Sequence, residues 1–206
     1  MAAMLGGTAR AEIVLPNDGD DYSALVAKAM AHDAGTDFRA LRLAYVKSAA
    51  FKRADSAKLA DLKKDMEAAM QNADGAVTVR QDAEAILSID FTDLYAQKIL
   101  HQSCKLVHDD ACDDLHHVIE FSLLRSITDN GDGKSCATGW PVVQIKEEYF
   151  MLAMMGVKMR QQALVNGGGH MCDAMTGIDD KGAEVTWFFN ADVVLANEAA
   201  MLGIKQ

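Results

Sequence analysis

The sequence predicts an α+β fold, mainly α, in which a stack of helical hairpins precedes a small antiparallel β meander with flanking helices. Three observations carry this expectation. Apolar residues recur at helical spacing from Asp21 to Ile127, interrupted only by short polar breaks. Two prolines, 6% aromatics and twelve methionines favour uninterrupted helix, because Ala, Leu and Met are strong helix formers. After Ile127 the pattern changes to Gly-rich turns between short β-prone runs. With 206 residues and 50% hydrophobic content, the chain has enough apolar surface to bury a core.

The elements follow in order. From Asp21 to His32, Tyr22, Leu25, Val26, Ala29 and Met30 form one apolar stripe. After Gly35, Thr36 or Asp37 caps a second helix with Phe38, Leu41 and Tyr45 inward and Arg39 and Arg42 turned elsewhere. Asp55 or Ser56 opens a third helix, with Leu59, Leu62, Met66 and Met70 on one face and a stop at Asn72 to Gly75. Val79, Ala83, Ile86 and Leu87 mark a fourth. A Thr92 cap starts the fifth, and Cys112 to Ile127 is the sixth. The spacing of these helices is weakly tetratricopeptide-like, close to a period of roughly 34 residues, but the Trp, Leu-Gly and Pro signature positions are missing. Beyond the Thr128 to Gly139 loop, Pro141 to Ile145 is β-prone and Glu147 to Met155 is helical. Strands Met159 to Val165, His170 to Ile178 and Glu184 to Asn190 are separated by Asn166-Gly167-Gly168-Gly169 and Asp179 to Gly182, and Asp192 to Gly203 closes the chain as a helix.

This divides the chain into residues 1–20, a disordered terminus or export-signal remnant; 21–127, the hairpin stack; and 128–206, a small α+β segment packed on it. Met1 to Gly7 followed by Ala9-Arg10-Ala11 fits part of a signal-peptidase pattern, so the expected location is periplasmic or secreted, with cytoplasmic as the alternative. A formal charge of −10 repels nucleic acid and anionic lipid, and no stretch is long enough for membrane insertion.

Several motifs point to one family. Asp37-Phe38-Arg39-Ala40-Leu41-Arg42 with Tyr45, Gly131 to Ser135, Pro141-Val142-Val143 with Glu147-Glu148-Tyr149, and Trp187 to Asn190 occur in order. Across most of residues 21 to 192 the chain resembles a bacterial family catalogued as domain of unknown function 4919. The resemblance implies export and no particular activity. At His108-Asp109 and Met171-Cys172 the chain departs from the pattern, so a role shared by the family does not need these cysteines.

Two constellations carry candidate chemistry. His101, Cys104, His108, Cys112 and His116 or His117 lie on facing helices, where Cys104, His108, Cys112 and His116 would make a zinc shell. A Cys104–Cys112 disulfide and free core thiols are the competing readings. The second constellation is a ligand-binding junction of Asp132, Ser135, Glu147, Glu148, His170 and Asp173 between the stack and the meander. Thr128 to Gly139 is not a calcium loop, since neither anchor position is a carboxylate. The Gly run before His170 lacks the Lys-Ser/Thr ending of a phosphate loop. No nucleophile elbow occurs, and no cofactor is implied.

The function expected is therefore that of a non-enzymatic exported module binding a protein or peptide partner. The alternatives are a hydrolase or metal-dependent enzyme working at Asp132, Glu148 and His170, or a metal-handling protein using the cluster from His101 to His117.

Overall fold

The computed structural model describes residues 13–203. The expected export signal, Met1 to Ala11, lies outside them. Of the expected disordered segment 1–20, Ile13 is buried and the Val14 amide donates to Ser88 Oγ at 2.9 Å.

The helices begin where short acidic side chains can satisfy free amides. Asp20 caps α1 (Asp21–Met30), Asp37 caps α2 (Phe38–Lys47) and Asp55 caps α4 (Ser56–Ala69). Between the last two, Ser48 ends α2 and its hydroxyl accepts from the Phe51 amide, starting a short α3 (Ala49–Arg53) that the pattern did not reveal. Helix α5 spans Ala76–Ile89. Helix α6 (Leu94–Leu106) is capped by Asp93, not Thr92. The reason is local: the Thr92 amide and hydroxyl both donate to Asp90 Oδ1, at 2.9 and 2.7 Å, which holds Thr92 in a turn and moves the helix start on by one residue. Asp109 caps α7 (Asp110–Thr128).

After a 3₁₀ turn (Cys136–Thr138) come β1 (Trp140–Pro141), α8 (Ile145–Met154), β2 (Lys158–Gly167), β3 (His170–Ile178), β4 (Glu184–Asn190) and α9 (Asp192–Met201). The sheet order is β1-β4-β3-β2. Strands β2 to β4 form the expected antiparallel meander, but β1 lies parallel to β4, Trp140 opposite Phe189, so the sheet is mixed. The chain crosses over through α8 between β1 and β2, which permits the parallel pairing.

Two apolar cores hold the molecule. One joins Tyr22, Tyr45 and Leu123 of the helices to Trp140, Met175 and Phe189 of the sheet region, and the other gathers Met66, Ile86, Leu87 and Leu100 around α4 to α6. No helix among the described residues is long and apolar enough to cross a membrane.

Candidate functional site

The six residues expected at the junction divide among separate surroundings. Asp132 and Ser135 belong to an exposed loop that satisfies itself: Asp132 Oδ1 accepts from the Lys134 amide at 2.9 Å and from Thr138 Oγ1 at 2.6 Å, and Ser135 Oγ lies 2.9 Å from Thr138 Oγ1. The Thr138 hydroxyl, then the Lys134 amide, hold the Asp132 carboxyl below its usual range. Gly133 sits inside this loop at φ +65°, where a Cβ would come within 3.0 Å of both Trp140 and Trp187, stacked with centroids 4.8 Å apart. His170 pairs through Nδ1 with Asp192 Oδ2 at 2.7 Å, fastening β3 to the start of α9. No hydrogen bond among the described residues joins Asp132, Glu148 and His170 to one another.

The two adjacent glutamates of α8 are both buried and have opposite electrostatics. Glu147 forms a two-pronged ion pair with Arg42, Nε to Oε1 at 2.8 Å and Nη2 to Oε2 at 2.6 Å, and also accepts from the Val143 amide at 2.8 Å. Arg42 additionally donates to Ser126 Oγ and to the Pro141 carbonyl, so it joins α2, α7, β1 and α8. The expectation that Arg42 turns away from the core is corrected: it is 1% exposed, because it follows Phe38 by four residues and shares that helical face. Glu148 is fully buried, neither of its oxygens has a hydrogen-bond donor among the described residues, and the carboxyl facing it from β3 is Asp173. Burial first, and Asp173 second, push the Glu148 carboxyl up to about 9.

The zinc shell does not assemble. Cys104 and Cys112 are bonded to each other, with Cα atoms 5.6 Å apart, which takes both sulfurs out of the ligand set. His108 is exposed in the turn at φ 55°, while His116 is buried and hydrogen-bonded through Nδ1 to Gln97 Oε1 at 2.8 Å. His101 lies between Asp113 and Glu120. Among the described residues no group of three or more His, Cys, Asp or Glu side chains is arranged to hold a metal ion. A second disulfide, Cys136–Cys172, ties the 3₁₀ turn to β3.

A cleft does lie between the helical stack and the later segment, but with other walls. It measures about 840 Å³ and is enclosed by α2, α3 and α4 on one side and by the N-terminus of α8 and the C-terminus of α9 on the other. Tyr45, Val46, Phe51, Leu59 and Met201 supply apolar wall, and Lys52, Lys63, Gln144, Lys146 and Asn197 supply polar groups. Behind the lysines lie Asp90 and Asp93, at 0% and 1% exposure. Lys146 Nζ donates to both, and Lys63 Nζ to Asp93 Oδ2 at 2.9 Å. Burial pushes the Asp93 carboxyl up, yet the Lys146 and Lys63 ammoniums outweigh it and hold the group well below the usual carboxylate range. Burial likewise disfavours the Lys146 charge, but Asp90 and Asp93 raise it above the ordinary lysine range. Asp93 and Lys146 are thus both charged at neutral pH. The volume lies within the roughly 300–1,000 Å³ of ordinary small-ligand sites.

The family model described as a domain of unknown function, DUF4919, matches residues 16–199. The chain belongs to the DUF4919 family. No curated protein and no solved structure matches it.

In this DUF4919 chain the helix expected from Glu147 to Met155 is α8, which starts two residues earlier at Ile145 because Gln144 and Glu147 form a capping box, and the residues of the cleft were not anticipated. Lys63, Asp90, Asp93, Gln144, Lys146 and Asn197, which line the cleft or lie behind its lysines, come from four separate stretches, and none forms a local motif. One signal was present: Asp90 and Asp93 bracket the break between two strongly apolar helices, where a second acidic residue beside the one that caps the next helix invites a buried cation.

Proposed function

We propose that this protein is a non-enzymatic, exported binding module that holds a peptide segment of a protein partner in the cleft between α2–α4 and α8–α9. The observation that carries the reading is the composition of that cleft: continuous apolar wall beside a few fixed polar groups, at a junction of packed elements. Two disulfides using all four cysteines suit an oxidising compartment, which supports export to the periplasm or beyond.

The test is calorimetric titration of the oxidised full chain with pools of short peptides, followed by recovery and mass analysis of each peptide. Saturable binding, intact peptides and loss of binding in Leu59→Arg, which fills the cleft from its partly exposed wall, are expected. Cleaved peptides would instead favour the enzymatic alternative. That alternative draws on Glu148, which keeps its proton at neutral pH as a general acid must, although the residue is fully enclosed. An absence of saturation with every pool would refute the binding reading.

A further inference from the structure

We infer that the cleft reads a free carboxylate, the C-terminus of a peptide ending in an apolar side chain, through Lys63, Lys146 and Asn197. This rests on the peptide-binding reading above and names the group that is recognised.

The inference comes from counting donors and acceptors. Among the described residues no Asp or Glu lines the cleft, and the charged lining residues are all lysines. The two carboxylates behind them are already engaged on every oxygen. Asp90 Oδ1 accepts from the Thr92 amide and hydroxyl, and Oδ2 from Gln144 Nε2 and Lys146 Nζ. Asp93 Oδ1 accepts from the Ala96 amide, and Oδ2 from Lys63 and Lys146.

Donors, in contrast, are left over. An ammonium has three N–H groups. Lys146 uses two on Asp90 and Asp93, and Lys63 uses one on Asp93. Asn197 Nδ2 is buried without any hydrogen-bond partner among the described residues. An unpartnered buried amide costs stability unless something accepts from it. A wall with surplus donors and spent acceptors fits a ligand that brings oxygen acceptors.

Charge narrows the choice. Among the described residues Lys63 and Lys146 pair with Asp90 and Asp93, and Lys52, exposed on the same wall, pairs with no carboxylate, so the formal count leaves one positive charge at the site. A carboxylate is the complementary monoanion, whereas a phosphate monoester carries nearly two charges at neutral pH. Beside this group, Tyr45, Val46, Phe51 and Leu59 offer surface for the apolar side chain next to the carboxylate. A peptide C-terminus supplies both parts within one residue.

The experiment compares an N-acetylated tripeptide of two glycines and a C-terminal leucine, as free acid and as C-terminal amide, against the full chain and its Asn197→Asp variant. Decanoate serves as a carboxylate on a lipid chain. The expected result is that the free acid binds about tenfold or more tightly than the amide, as loss of a charge-assisted hydrogen bond requires. Asn197→Asp keeps the shape and adds a negative charge, so it should abolish that preference. The acid-against-amide comparison on the unaltered protein stands even if the variant folds poorly. Equal binding of acid and amide would overturn the inference and leave the peptide-binding reading intact. Binding of decanoate with no binding of either tripeptide would overturn the peptide as occupant, and no binding by any peptide pool would remove both readings.

Discussion

Replacing Glu148 by glutamine should make the protein more stable, increasingly so as the pH rises. In the unfolded chain this carboxyl titrates near 4.5, and in the folded protein burial and Asp173 raise it to about 9. Between these values the unfolded state releases a proton that the folded state keeps. The unfolded state therefore binds fewer protons, and stability falls with rising pH by about 1.4 kcal/mol per unit for this one group. The contribution is fully present below pH 4.5 and is lost progressively up to about pH 9. At pH 7 the loss amounts to about 3 kcal/mol, a large part of the roughly 5–15 kcal/mol typical of a folded domain. Glutamine has the same shape and does not titrate, so the variant lacks this slope. Urea unfolding from pH 5 to 8, followed by fluorescence of the stacked Trp140 and Trp187, measures the difference. The gap between variant and wild type should widen by several kcal/mol over that range with an unchanged m value. Parallel pH profiles for the two proteins would refute the reasoning, and Asp173→Asn should reproduce part of the gain, since Asp173 is the second cause of the shift.

Other perturbations test the remaining buried groups. Arg42→Met should cost about 3–5 kcal/mol in chemical denaturation by leaving Glu147 charged and unpaired, and adding Glu147→Gln should restore more than half of it. His116 has a folded value lowered to about 4 from 6.5 by burial first and Arg80 second, so its contribution is present above pH 6.5 and lost as the pH falls toward 4; His116→Asn should flatten the acid limb of the melting profile. Thiol counting under denaturing, non-reducing conditions should find no free cysteine. Removing Cys136–Cys172, which spans 36 residues, should cost about 4 kcal/mol, against about 2.5 kcal/mol for Cys104–Cys112, which spans 8.

Legibility in the sequence followed the range of the interaction. Helix starts at Asp37 and Asp55 were readable because a cap bonds within three residues of itself. The Cys104–Cys112 pair was readable as a candidate because both cysteines flank one helical turn. The Cys136–Cys172 pair and the parallel pairing of Trp140 with Phe189 were not, since nothing local to residue 136 or 140 specifies a partner so far along the chain. Arg42 was misread for a different reason: its charge argued for solvent, while its helical position argued for the core, and Glu147 decided the contest from 105 residues away. At the junction, Glu148 and Asp173 meet across α8 and β3, whereas Asp132 is satisfied within its own loop and His170 pairs with Asp192 at the start of α9. Acidic residues at a helix start gave no sign of which one would be paired and which left protonated.

The first turn of α8 explains why those fates diverge. Each residue of a helix is rotated by about 100° from the last, so four consecutive side chains face four directions. Lys146 reaches Asp90 and Asp93, Glu147 reaches Arg42, Glu148 meets Asp173, and the Tyr149 hydroxyl extends toward Gln162 Oε1 at 3.3 Å. A shift of one residue in this helix would exchange a cation for an anion at a buried site, which the low-dielectric interior strongly penalises. The register is therefore fixed by charge as much as by packing. Gln144 and Lys146 belong to both this register and the cleft wall, so a ligand held by Lys146 favours the same arrangement that Arg42 and Glu147 favour from the other side of the helix. Binding that selects the folded register adds RT ln(1 + [L]/Kd) to stability, which ties occupancy of the cleft to the melting temperature of the whole chain.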